Sequence, residues 1–215
     1  MSPQLVRKPL HTYHHGDLRD ALIDAALREA DRSGPEAISI KALAKALGVS
    51  QPAPYRHFAD RDALLAAATA TAFRQFTAML REAMATRSEA SKLSRLAHAT
   101  LEFGLRRDGV YRLMFASRSM ACAARGSELH EAASETFALV LEALEAPSVA
   151  RLRERHALKI WAALHGIVML AQHGLLTGDV AQTTREELVE DFVTETKEAL
   201  AAAIRKASRG GKIGE

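Results

Sequence analysis

Cysteine occurs once in the 215 residues, as Cys122, so no internal disulfide can form and a reducing compartment, the cytoplasm, is the natural setting. No run of about 18 apolar residues appears, which leaves membrane spanning unsupported. The N-terminus has no charged-then-apolar leader, so secretion is unsupported too. Aromatic residues make up only 5%, and the 6 prolines and 12 glycines sit at points of punctuation. Strand-like alternation of Val, Ile and Thr is nearly absent, which argues against a sheet. The signatures of catalysis are missing as well: there is no glycine-rich phosphate loop and no G-x-S-x-G nucleophile turn, and pairing His165 with Glu102 or Glu142 would be arbitrary. His14 and His15 are adjacent, point in different directions and have no Cys or carboxylate at ligand spacing. Neither a metal, a cofactor nor an enzymatic activity is expected.

What remains is a chain rich in Ala, Leu, Arg and Glu, 48% hydrophobic, and therefore all-α with enough apolar material for a sizeable core. The net charge of +3 permits contact with a polyanion without amounting to a general nucleic-acid coat. Residues 1–13 carry Arg7 and Lys8 between Pro3 and Pro9 without periodicity and read as a flexible basic arm. From Asp17 a first helix places Leu18, Leu22, Ala25 and Ala26 on one face and stops at Gly34-Pro35. Ser39 stands at the cap of a short second helix with Ile40, Leu43, Ala44 and Leu47 on its apolar face, and Gly48 suits the left-handed residue that ends it. Ser50 caps again two residues later, so a tight turn leads to a third helix whose first turn contains Pro52 and Pro54.

That third helix has one obvious core anchor, Phe58, so its polar side chains face outward. A helix-turn-helix pair has this design: one helix braces, and the next offers its first turn to the major groove while its neighbours hold phosphates. YHHGDLR, SIKALAKALGVS and QPAPYRHFADRDALL, in that order over residues 14–70, resemble the DNA-binding domain of TetR-type transcriptional regulators. The resemblance implies that Ser39 lies near a phosphate and that Gln51, Pro52 and Ala53 lie nearest the bases. It puts Tyr55 and His57 on the backbone, with Lys41, Ser50 and Arg56 in the same DNA-facing group. Arg61, where the family usually has lysine, is expected on a phosphate as well, and Pro54 stands where leucine is common. Tyr55 also fits a half-buried edge aromatic, and Arg56 and Arg61 fit ordinary solvated charges.

Residues 61–207 read as a larger helical domain for effector binding and dimerisation, with helices at 61–84, 91–107, 110–118, 126–145, 149–176 and 184–207, followed by a frayed tail at 208–215. WAALHG and YRLMF resemble the WHG-type C-terminal domain of one TetR subgroup, which implies a homodimer and a ligand or regulatory domain. Phe103, Met114, Phe115, Met120, Phe137, Trp161, His165 and Met169 are core residues by default, yet they also suit a pocket for a small apolar effector. Leu164, Ile167 and Val168 with Leu188 and Phe192 supply an apolar face for a dimer bundle. The expectation is a dimeric repressor on a pseudo-palindromic double-stranded operator, released when an effector pushes the helix beginning near Arg61. The alternatives are control by a protein partner, and activation.

Overall fold

The computed structural model describes residues 15–116, 123–144, 150–176 and 182–210, and among these it holds eight α-helices, two 3-10 turns and no strand. The basic arm, Met120, Cys122 and the last residues of the tail lie outside the described residues. α1 runs His15–Ser33, α2 Ile40–Ala46, α3 Arg61–Ala85, α4 Lys92–Arg106, α5 Asp108–Ala116, α6 Glu128–Ala143, α7 Ala150–Gln172 and α8 Arg185–Gly210. The helical backbone of α8 thus continues past 207.

The boundaries have local causes. Gly34, at φ 88, turns the chain out of α1 while its N–H still reaches the Ala30 carbonyl at 2.8 Å. The Asp60 carboxylate caps α3 at Ala63 N–H (2.8 Å), and the Ser91 and Ser127 hydroxyls cap α4 and α6 at 3.2 Å. Such caps each stabilise by about 1 kcal/mol. α3 has 25 residues, so it extends about 37 Å. Its first turns bury Leu64 and Leu65 against the α1–α2 unit, and its later turns bury Phe73, Phe76, Leu80 and Met84 in the larger domain. One continuous core therefore joins the two parts, from Leu22, Leu43 and Phe58 through to Leu96, Ile160 and Val193. α3 packs along α6, and α4 against α7 and α8. Gly104 lets α4 and α7 close up, because a Cβ there would lie 2.3 Å from Val168 Cγ1.

The expected third helix is a single 3-10 turn, Pro54–Arg56, preceded by turn residues. Two prolines account for it. In an α-helix residue 54 would donate to the Ser50 carbonyl, but proline has no N–H and its ring crowds that oxygen. The Ser50 carbonyl instead takes the N–H of Ala53 at 3.0 Å, and Arg56 and His57 continue the three-residue pattern onto Ala53 and Pro54.

The dimer face expected from periodicity needs correction. Leu164, Ile167 and Val168 are 4%, 7% and 1% exposed within a single chain, so they belong to its own core. Leu188 and Phe192 are partly buried and packed against that core. An apolar stripe at helical spacing records burial but not whether the covering surface is the same chain or a copy. The large apolar side chains that α7 leaves open are Leu158 and Leu170, with Leu175 just beyond its end.

Candidate nucleic-acid interface and effector cavity

At the α2–α3 end the chain presents a polar surface with little internal bonding. Ser39 occupies the N-cap position of α2, but its hydroxyl makes no capping bond. Lys41, Ser50, Gln51, Pro52, Tyr55 and Arg56 are exposed, and Ala53 and His57 are half-buried. Gln51 Nε2 makes only a long 3.5 Å approach to the Lys41 carbonyl, so its amide remains largely open to an outside partner. Tyr55 is 47% exposed, a large ring kept at the surface, whereas Pro54 and Phe58 beneath it are buried. Pro54 and Phe58 hold the turn from below, and the side chains above it are open to solvent.

Arg61 is placed differently from its neighbours. Its Nε donates to the Ile38 carbonyl at 2.8 Å and an Nη to the Pro35 carbonyl at 2.9 Å. The guanidinium ties the start of α3 to the segment leading into α2 through two donors of its planar fork. The expected phosphate contact would have to be made with its remaining donors.

The second site is an aromatic cavity of about 20 Å³ between α3, α4, α5, α6 and α7. Phe115, Trp161 and His165, expected in a pocket, line it, whereas Phe103, Met114, Phe137 and Met169 do not. Phe103 packs on Phe76 at 4.8 Å between ring centroids, Met114 is fully buried, and Phe137 lies behind Trp161 at 5.7 Å. Leu164 forms part of the wall instead of a dimer face. Pattern reading also missed Tyr111, which lies one helical turn before Phe115 on the same face of α5; that i, i+4 relation was the available signal. The Tyr111 hydroxyl and His165 Nδ1 are 3.2 Å apart, and their rings stack at 5.7 Å. Burial pushes the Tyr111 phenol well above its ordinary pKa and lowers that of the His165 imidazole. Both are therefore neutral near pH 7.

α5 joins the two sites. At its start, Gly109 lies against the last turns of α1 so closely that a Cβ would fall 1.8 Å from the Ala30 carbonyl oxygen. Asp31 of α1 accepts the Val110 N–H at 3.0 Å and receives Arg107 Nε at 2.5 Å, so a carboxylate of α1 satisfies an open donor in the first turn of α5. A few residues on, the same helix forms the cavity wall with Tyr111 and Phe115. A second tie runs through Glu128 at the head of α6, which accepts Arg19 of α1 at 3.2 Å and Arg74 of α3 at 2.6 Å. The cavity wall therefore reaches α1 directly, beside the helix α3 through which an effector is expected to act.

Residues 22–68 match the family model of bacterial regulatory proteins, tetR family, and residues 93–196 match that of the tetracyclin repressor-like C-terminal domain. Among solved structures, a protein with unknown function from Rhodococcus sp. RHA1 is 29% identical, with a TM-score of 0.72 over 89% of this chain and 100% of that one. A multidrug binding protein, EbrR, solved in complex with imidazole, is 26% identical, with a TM-score of 0.55 over 83% of this chain and 93% of its own. A TetR family transcription regulator from Marinobacter aquaeolei VT8 shares the fold at 21% identity and a TM-score of 0.58, over 83% and 94% of the two chains. No curated protein shows significant similarity.

Proposed function

Since the chain belongs to the TetR family of bacterial transcriptional regulators, we propose that it is a repressor whose homodimer leaves its operator when a small molecule occupies the aromatic cavity. Regulators of this family bind DNA and typically act as dimers with small-molecule effectors. The observation that carries the finer reading is the position of α5, one end of which is keyed into α1 at Ala30 and Asp31 while its middle walls the cavity. An occupant that moves Tyr111 and Phe115 must move that key, and with it the helix on which the reading turn is mounted. Two reading turns meet successive major grooves only at a spacing of about 34–36 Å or its multiples, so a small displacement weakens binding. That one relative is a multidrug binding protein supports a small-molecule effector.

In the bound form Gln51, Pro52 and Ala53 face base edges, while Ser39, Lys41, Ser50, Tyr55, Arg56 and His57 lie along phosphates. The partner copy packs on the outer side of α7 and α8, where Leu158 and Leu170 are exposed. Footprinting on the DNA flanking the chain's own gene tests this reading. A protected, two-fold symmetric site that is lost on adding an effector is expected, and affinity no higher than for random DNA of the same length would overturn it. Linkage adds a second check: an effector that weakens DNA binding must itself bind the DNA-bound form more weakly by the same factor.

A further inference from the structure

The atoms lining the aromatic cavity restrict what can occupy it. Two of its polar side chains are already engaged: Thr100 Oγ1 donates to the Leu96 carbonyl at 2.8 Å, and Thr136 Oγ1 lies 2.6 Å from Thr77 Oγ1 and 3.1 Å from the Ala132 carbonyl. Among the described residues no Asp, Glu, Lys or Arg lines it. The polar side-chain groups left for a ligand are the Tyr111 hydroxyl, the His165 imidazole and the indole N–H of Trp161. A carboxylate or an ammonium entering there would lose its water and find no counter-charge, which is costly.

The walls also specify a shape. Phe115 meets Phe73, Tyr111, Trp161 and His165 at centroid distances of 5.7, 4.7, 6.0 and 4.8 Å. These are edge and tilted contacts, which a flat ring can replace at little cost by taking the place of one of them. The space itself is about 20 Å³, enough for one water, whereas a cavity that takes benzene measures about 150 Å³. Occupancy therefore requires a wall to yield. Tyr111 and Leu164 are almost fully buried, but Phe115, Trp161 and His165 are only partly so, and that side is where the wall opens.

We propose that the cavity selects a neutral, flat aromatic molecule bearing one hydrogen-bonding group, which displaces Trp161 and bonds to the Tyr111–His165 pair; the effector role of such a molecule rests on the function proposed above. Its polar group meets a phenol and an imidazole that are both uncharged at neutral pH, so neither supplies a counter-ion.

The test uses the full chain and five probes: phenol, toluene, cyclohexanol, benzoate and benzylamine. Trp161 is the sole tryptophan, so its emission, excited beyond the absorption of phenol, reports the site, and calorimetry gives the affinities. Phenol is expected to give a saturable change. Toluene should bind about 2- to 12-fold more weakly for want of the hydrogen bond. Cyclohexanol should bind more weakly than phenol for want of a flat ring, and benzoate and benzylammonium at least about 100-fold more weakly. Tyr111→Phe should narrow the gap between phenol and toluene; if that variant does not fold, the probe series on the unaltered chain decides alone. Charged probes that match phenol, or phenol that leaves Trp161 emission unchanged to saturation in water, would overturn the assignment. Release from the operator, read in parallel, separates the two ideas. Phenol at Trp161 without release upholds the site and removes its regulatory role, whereas release by benzoate with a silent Trp161 would place the effector elsewhere and overturn the regulatory role of this cavity.

Discussion

From Ser50 to Phe58 the chain is shaped by its own covalent structure, whereas around Tyr111 it is shaped by five helices closing on one point. The reading turn holds its form through two prolines and one buried ring, and its exposed side chains have few partners within the chain. The cavity is its opposite, with every wall residue set by packing and nearly every polar atom matched. A surface that must meet DNA in many registers benefits from open donors on a stiff turn. A site that must change one helix position on binding benefits from a tight cluster with a single yielding wall. Substitutions should therefore separate the two: at the turn they change DNA binding and leave stability alone, and at the cavity they change stability first.

Leu164→Ala should have the largest effect, a loss of about 2–5 kcal/mol in urea unfolding at fixed protein concentration, because the side chain is 4% exposed and walls the cavity. Sedimentation at concentrations where the variant stays folded should still show a dimer. A variant with unchanged stability that sediments as a monomer would return Leu164 to the dimer face and erase the contrast.

The same contrast explains what could be read from sequence. The α1–α2–turn unit was legible because its information is local: Gly34-Pro35, Gly48, Ser50 and Pro54 each dictate the backbone where they stand. Gly48 does adopt a positive φ, of 69°. The 3-10 character of the turn was within reach too, since Pro54 removes one specific donor. The C-terminal helices were also legible, because their periodicity is strong. Tyr111, Asp31 and Gly109 were not, because their roles depend on which helices meet. For Gly109, only the approach of Ala30 makes the missing side chain necessary. Likewise Leu164 and Val168 mark an apolar stripe, and nothing in the stripe names its cover.

Gly109→Ala tests the joint between the two regions and should rank next. A methyl group cannot fit 1.8 Å from a backbone oxygen, so α5 must move away from α1, at a cost of about 1–3 kcal/mol. On the function proposed above the joint carries the signal, so operator affinity should fall with stability, and whatever effector response is left should be blunted. Full stability with a full response would mean that α5 does not couple the cavity to the reading turn.

Arg61 and Tyr55 sharpen the comparison on the DNA side. Arg61→Ala removes two bonds to the carbonyls of Pro35 and Ile38 and should cost about 1 kcal/mol of stability, whereas Tyr55→Ala should stay within about 0.5 kcal/mol of the native value. Both should weaken operator binding. The salt dependence then decides the role of Arg61: loss of a charge on a phosphate lowers the slope by about 1, and loss of a brace leaves it unchanged, as does the loss of the uncharged Tyr55. An Arg61→Ala protein of native stability and reduced slope would place that guanidinium on DNA after all.

The smallest effect is expected from His165 and reads the cavity by pH. Burial holds its folded pKa below the ordinary value of 6.5, while in the unfolded chain it titrates at that value. Between the two, the unfolded state binds the proton and the folded state does not, so stability falls as pH drops through 6.5 toward the lower folded value. Above that window the imidazole is neutral in both states and contributes no slope. His165→Gln keeps a hydrogen-bonding group beside Tyr111 but removes the titration. The difference in urea midpoint between native chain and variant should thus be flat in alkaline buffer and shift against the native chain below pH 6.5, while the other histidines and the acidic groups cancel in the subtraction. A flat difference throughout would mean that water reaches the imidazole freely. A difference of opposite sign would mean that an unseen anion stabilises its charged form, and a cavity of that kind would accept the cationic ligands excluded above.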